Sequence, residues 1–279
     1  MQIKKAIILT CCLIAGCAQN SHLVANPPAY NNSNAVATHT EPTPPNPTLA
    51  INPKPLSPSD EAQLSEAKAL NSQVETLYQQ GQYATAIPLV KRSLAIREQV
   101  LGPNHPDVAQ SLNNLAALYE AQGLHAQAEP LYKRSLAIRE QVLGPTHPHV
   151  ATSLNNLAEL YRNQAQYAQA EPLYKRSLAI KEQVLGPNHP AVATSLNNLA
   201  ALYLAQGQYA QAEPLYKRSL AIKEQALGPN HKDMALSLNN LALLYKAQGQ
   251  YAQAELLYKR SLAIYEQALG STIRLWRPV

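Results

Sequence analysis

No phenylalanine occurs in these 279 residues, tryptophan occurs once, and the three cysteines end at Cys17. With no cysteine after that point a disulfide framework is excluded, so whatever folds downstream is held by packing alone. No apolar run reaches the ~20 residues that a membrane-spanning helix needs. Charge is sparse and mixed. The formal net charge of +5 contains no block of like sign and drops to +3 once Lys4 and Lys5 are discounted with a leader peptide, too mild a balance for nucleic-acid binding. There is no glycine-rich phosphate loop, no HExxH pair and no GxSxG elbow. Catalysis, a cofactor, a resident metal and a small-molecule substrate are therefore not expected. The aromatic role falls to 15 tyrosines, most at fixed repeat positions, where they act as packing groups rather than as a base-stacking set.

What the chain does contain is repetition. The stretch from His105 to Thr146 recurs at His147, His189 and His231, and the copies at 147–188 and 189–230 differ at six positions only. A weaker copy at 63–104 keeps LVKRSLAIREQVLGPN but lacks the His-Pro start. A fixed period of this size marks one supersecondary unit stacked on its neighbours into a solenoid. Within the second copy, Leu112, Leu115, Ala116 and Tyr119 fall at helical spacing, Pro106 suits a first helical position, and Gly123 ends that helix. A second apolar face runs through Ala128, Leu131, Tyr132, Leu136 and Ile138 and ends at Leu143-Gly144-Pro145. Glu129 and Lys133 form a favourable i,i+4 pair that every later copy repeats. Pro130, matched by Pro172 and Pro214, lies inside this second helix, and a local distortion is expected there.

Each unit thus reads as a helix–turn–helix. The pattern is similar to the tetratricopeptide repeat, with Leu112 where that family usually has tryptophan. The wording SLNNLAxLYxxQGxYAQAExLYKRSLAIxEQxLGPNHPxVA resembles the repeats of kinesin light chains and their bacterial relatives. The resemblance implies an all-α superhelical solenoid of five units, 63–104, 105–146, 147–188, 189–230 and 231–272, together spanning 61–272. The kinesin family's N-terminal coiled coil is absent, so no motor subunit is implied.

The four good copies differ mainly along one stripe of the first helix, at Asp107/His149/Ala191/Asp233, Gln110/Thr152/Thr194/Leu236, Ala117/Glu159/Ala201/Leu243, Glu120/Arg162/Leu204/Lys246 and Ala121/Asn163/Ala205/Ala247. Amid the stripe stands an unvarying pair, Asn113-Asn114, Asn155-Asn156, Asn197-Asn198 and Asn239-Asn240. Two readings are open. The amides bond to one another between adjacent helices, or they line an open groove and hold the backbone of an extended peptide, with Glu159, Arg162 and Lys246 selecting its side chains. The family resemblance implies the groove. A Lys/Arg clamp for a C-terminal carboxylate is not reproduced. His105, His147, His189 and His231 fall one per repeat in the turns between repeats, too far apart to share a zinc ion, and are expected to cap those turns. Lys133-Arg134 and its copies form a basic ridge, either a solvated face or a contact for anionic lipid or cell wall.

At the start of the chain, Lys4-Lys5, an apolar run from Ala6 to Ala15 and Gly16-Cys17 follow the plan of a secretory signal. Ile14-Ala15-Gly16-Cys17 resembles the lipobox of bacterial lipoproteins, which implies cleavage after residue 16 and acylation of Cys17. Ala18-Gln19 carries no acidic residue, and by family analogy this directs the protein to the outer membrane, facing the periplasm. The alternative is an ordinary signal cut after Ala18 that releases a secreted effector docking on host proteins. Residues 17–60, with nine prolines from Pro27 to Pro58, read as a disordered tether with a reach of roughly 35 Å. The expected work is that of a non-enzymatic scaffold or adaptor for protein or peptide partners, attached to the membrane through its lipid. At the other end, residues 273–279 form a short tail in which Leu275 and Trp276 either fold back as a makeshift cap or leave the last hairpin exposed.

Overall fold

The computed structural model describes residues 56–274, in which the chain forms ten helices and no strand. They are α1 (Pro58–Gln79), α2 (Tyr83–Leu101), α3 (Pro106–Ala121), α4 (His125–Leu143), α5 (Pro148–Asn163), α6 (Tyr167–Leu185), α7 (Pro190–Ala205), α8 (Tyr209–Leu227), α9 (Lys232–Ala247) and α10 (Tyr251–Arg274). Successive pairs make five hairpins, each packed on the next. The first helix begins at Pro58 and the last runs to Arg274, so the array extends slightly past both of its expected limits. The leader, Cys17, the tether up to residue 55, Leu275 and Trp276 lie outside the described residues.

Local chemistry sets the helix ends. His105, His147, His189 and His231 each use Nδ1 to accept a backbone N–H two residues ahead, at 3.1–3.2 Å, and so cap α3, α5, α7 and α9. Ser57 and Asp60 form a capping box at α1. Each hairpin turns through three residues whose middle position has positive φ. Glycine serves there four times, at φ +71° to +75°, but in the third hairpin it is Ala165, at φ +57°. The helices α2, α4, α6 and α8 run unbroken through Pro88, Pro130, Pro172 and Pro214, so the expected distortion interrupts none of them.

Without phenylalanine the largest fully buried side chains are Tyr132, Tyr174 and Tyr216. A buried phenol needs a partner for its hydroxyl. Tyr132 finds Glu120 at 2.9 Å and Tyr174 finds Glu159 at 2.5 Å, so the aromatic core brings carboxylates inside with it. Polar staples repeat with the sequence. Ser93, Ser135, Ser177, Ser219 and Ser261 donate to a carbonyl of their own hairpin's first helix. Arg97, Arg139, Lys181 and Lys223 reach Ser111, Ser153, Ser195 and Ser237 at the start of the next hairpin. Burial lowers the Lys181 ammonium to about 8.

The basic ridge is neutralised where it stands. Lys133, Lys175, Lys217 and Lys259 pair with the glutamate four residues earlier. Arg134, Arg176, Arg218 and Arg260 pair with Glu98, Glu140, Glu182 and Glu224 of the preceding hairpin at 2.5–2.7 Å. It is a ladder of ion pairs between repeats rather than a free cationic surface.

Candidate functional site: the inner helix face

The odd-numbered helices α3, α5, α7 and α9 touch one another directly. The even-numbered ones bridge mainly through long side chains such as Arg134–Glu98. The array therefore closes up on the odd-helix side, where the asparagine pairs and the variable stripe lie.

Here the open-groove reading of the amides is corrected. Asn113, Asn114, Asn156, Asn197, Asn198 and Asn240 are only 1–8% exposed, and Asn155 and Asn239 are half-buried. Asn156 Nδ2 donates to Asn113 Oδ1 at 3.0 Å, Asn198 to Asn155 at 2.9 Å and Asn240 to Asn197 at 3.0 Å. In the third, fourth and fifth repeats the second amide thus bonds the first amide of the repeat before it. Close approach of neighbouring odd helices consumes these groups, and they form a spine between repeats.

Glu159 and Arg162, expected as groove selectors, are buried too. They make an ion pair one helical turn apart, into which Tyr174 also donates. Beside them Glu120 accepts from Tyr132 and, at 2.9 Å, from Asn163. Two carboxylates from adjacent repeats therefore lie near each other, and the guanidinium pairs with Glu159. Burial, and then the neighbouring Glu159 charge, push the Glu120 carboxyl up from 4.5 to about 7. Burial opposes the charge on Arg162, but Glu159 and Tyr174 outweigh it and raise that group. Burial also raises the hydroxyls of Tyr132 and Tyr174 well above their usual value, with Glu120 and Glu159 adding to it. The sequence placed Glu120 and Arg162 at equivalent positions of neighbouring repeats. What it did not disclose is that core tyrosines from the second helices reach them.

Lys246 alone of the expected selectors is exposed. The accessible inner face consists of the row Asp107/His149/Ala191/Asp233, the row Gln110/Thr152/Thr194/Leu236, and Asn155, Asn163, Asn239 and Lys246. His149 is pushed down from 6.5 to about 4 by burial, then by Arg139 and His147. Among the described residues no three His, Cys, Asp or Glu side chains group as metal ligands, and no helix is long and apolar enough to cross a membrane.

This geometry agrees with comparison to known proteins. The tetratricopeptide repeat family matches at residues 65–141, 108–183, 149–225 and 192–267, well over half of the chain. The chain belongs to the tetratricopeptide-repeat family. Among solved structures, a Podosopora anserina protein of kinesin light chain type with nearly identical TPR-like repeats is similar, with a TM-score of 0.61 at 29% identity. That match covers 73% of this chain and 97% of the other. BtubC from P. vanneervenii reaches a TM-score of 0.61 at 24% identity over 79% of this chain and 92% of its own, a likeness of fold alone. No curated protein matches. Tetratricopeptide-repeat proteins and kinesin light chain relatives are typically non-catalytic scaffolds that hold other proteins, and this tetratricopeptide-repeat array is built on the same plan.

Proposed function

We propose that this protein is a non-enzymatic adaptor of the bacterial cell envelope that binds an extended peptide segment along its inner helix face. The observation that carries the reading is the accessible row on the odd helices. Its chemistry changes along the array, from Asp107 to His149 to Ala191 and back to an acid at Asp233, over a frame whose other positions hardly change. An extended chain crossing successive repeats would meet each group in turn. The occupied amides of the asparagine spine take no direct part in this proposal. Half-buried Asn239 and exposed Lys246 do.

The test uses the full chain as bait in envelope extracts, followed by binding of the captured segment to Asn239→Ala and Lys246→Glu. Weakening of roughly tenfold with unchanged helicity is expected. Unchanged binding in both variants, or loss only on changing the outer ion-pair ladder, would remove the inner-face reading. Anchoring through Cys17 rests on the lipobox resemblance. Cys17→Ser is expected to abolish fatty-acid labelling and release the protein from membranes with its repeats folded. A variant that stays labelled and membrane-bound defeats the anchor, and secretion of the unaltered protein in unlabelled form would favour the effector reading.

A further inference from the structure

The third and fourth copies of the repeat differ at six positions, and three of the six fall together. Glu159, Arg162 and Asn163 of α5 stand where α7 has Ala201, Leu204 and Ala205. All three belong to the buried cluster around Glu120 of the second hairpin. Asn163 Nδ2 donates to Glu120 Oε1 at 2.9 Å across the junction. Arg162, paired with Glu159, sets its positive charge near the same carboxylate. Tyr132 serves Glu120 from its own hairpin, as Tyr174 serves Glu159.

The amide, staple and ladder bonds across this junction do not tell the third hairpin from the fourth. Asn113 bonds Asn156, and Asn198 is the same amide one repeat later. Arg139 reaches Ser153, Glu140 pairs with Arg176 and Glu129 accepts from Tyr161. The fourth hairpin carries Ser195, Arg218 and Tyr203 at those places, and Leu199 and Leu202 in place of Leu157 and Leu160. Stacking the second hairpin on the fourth therefore reproduces these contacts, with residues 147–188 left out as a loop. Loop closure costs grow only logarithmically with length and deter this weakly. Misassembly of this kind is a characteristic failure of repeat proteins while they fold.

What the wrong pairing does not reproduce is the cluster. Glu120, only 6% exposed, would face Ala201, Leu204 and Ala205, which supply neither a side-chain donor nor a positive charge. A buried carboxylate stripped of its partners is strongly destabilising, whereas a complete buried ion cluster need add little over an apolar contact. We infer that Glu120, Asn163 and Arg162 form a register key, by which the second hairpin accepts the third and rejects the fourth while the chain folds. A buried asparagine fixes the register of a coiled coil by the same logic, at little gain in stability. The key acts on the order of assembly, because a full stack of five hairpins outlasts one with a hairpin looped out.

Four full-length proteins test this at pH 8, above the Glu120 value of about 7. They are the unaltered chain, Glu120→Leu, the triple variant Glu159→Ala/Arg162→Leu/Asn163→Ala, and the quadruple variant combining them. Each substituent is the one the fourth hairpin carries at that position. In urea unfolding followed by circular dichroism, the triple variant should lower the folding constant at least tenfold. Adding Glu120→Leu to it should recover most of that loss, so that the two sets are coupled rather than additive. Refolding is then followed after an unfolding pulse of a few seconds, too short for the 21 prolines to isomerise. The quadruple variant, folded at equilibrium, should show a slow-refolding fraction at least threefold larger than the unaltered chain. A protease pulse during that slow phase should cut within 147–230. Additive effects in the cycle would overturn the proposal, since Glu120 would then not distinguish the two faces. So would a quadruple variant that refolds as cleanly as the unaltered chain, or one whose slow fraction is cut elsewhere.

Discussion

Glu120→Gln should change the pH dependence of stability in a direction and size set by the buried carboxylates. The folded chain holds the Glu120 proton more tightly than the unfolded chain, with the group raised from 4.5 to about 7. The native state therefore binds more protons across that interval, and the contribution of this group to stability is complete below pH 4.5 and lost as pH rises through 7. Between pH 5 and pH 8 the loss comes to about 2–3 kcal/mol. A glutamine carries no charge, still accepts from Tyr132 or Asn163, and removes this dependence. His149 works in the opposite sense. Its folded value of about 4 lies below the ordinary 6.5, so its contribution is present above pH 6.5 and lost as pH falls towards 4. That term is common to both proteins and cancels in their difference, as does any constant cost of the substitution. Urea unfolding followed by circular dichroism at pH 5 and pH 8 is the assay. Glu120→Gln should gain about 2 kcal/mol or more on the unaltered protein in going from the lower pH to the higher. A difference between the two proteins that is the same at both pH values would refute the account of Glu120 as a carboxyl held neutral by burial and by Glu159.

Ala165→Gly should stabilise the array by about 1 kcal/mol, raising the melting temperature by a few degrees. A left-handed backbone costs a non-glycine residue ~1–2 kcal/mol, partly offset by the extra freedom glycine gains when unfolded. A lower melting temperature would contradict this. Asn156→Leu should cost about 1–3 kcal/mol, because it leaves Asn113 Oδ1 buried without its donor. Chemical denaturation would show it, and an unchanged midpoint would mean that the spine does not hold the repeats together. Leu157→Ala, a core truncation at a site 4% exposed, sets the scale at ~2–5 kcal/mol in the same assay.

The sequence by itself determined the fold class, the repeat unit and the ends of most helices. Those features depend on short-range chemistry, namely spacing of apolar residues, a histidine before proline, and a glycine at a left-handed turn. The periodicity did the rest, since a unit that buries only one face must stack. It also disclosed which positions vary. Whether a varying position faces solvent is a different matter, because that depends on how closely successive repeats approach and on what reaches in from the neighbouring helix. The helical wheel placed Asn156, Glu159 and Arg162 on one stripe of α5, which is correct. Only the tertiary structure shows what covers this stripe: the adjacent repeat pairs Asn113 with Asn156, and the second helix of the same hairpin brings Tyr132 against Glu120 and Tyr174 against Glu159. In the same way Lys133 and Arg134 read as a basic ridge until the preceding hairpin supplies Glu98. A local period specifies which side of a helix points away from its mate. The superhelical rise from one repeat to the next decides whether that side is solvent, groove or core.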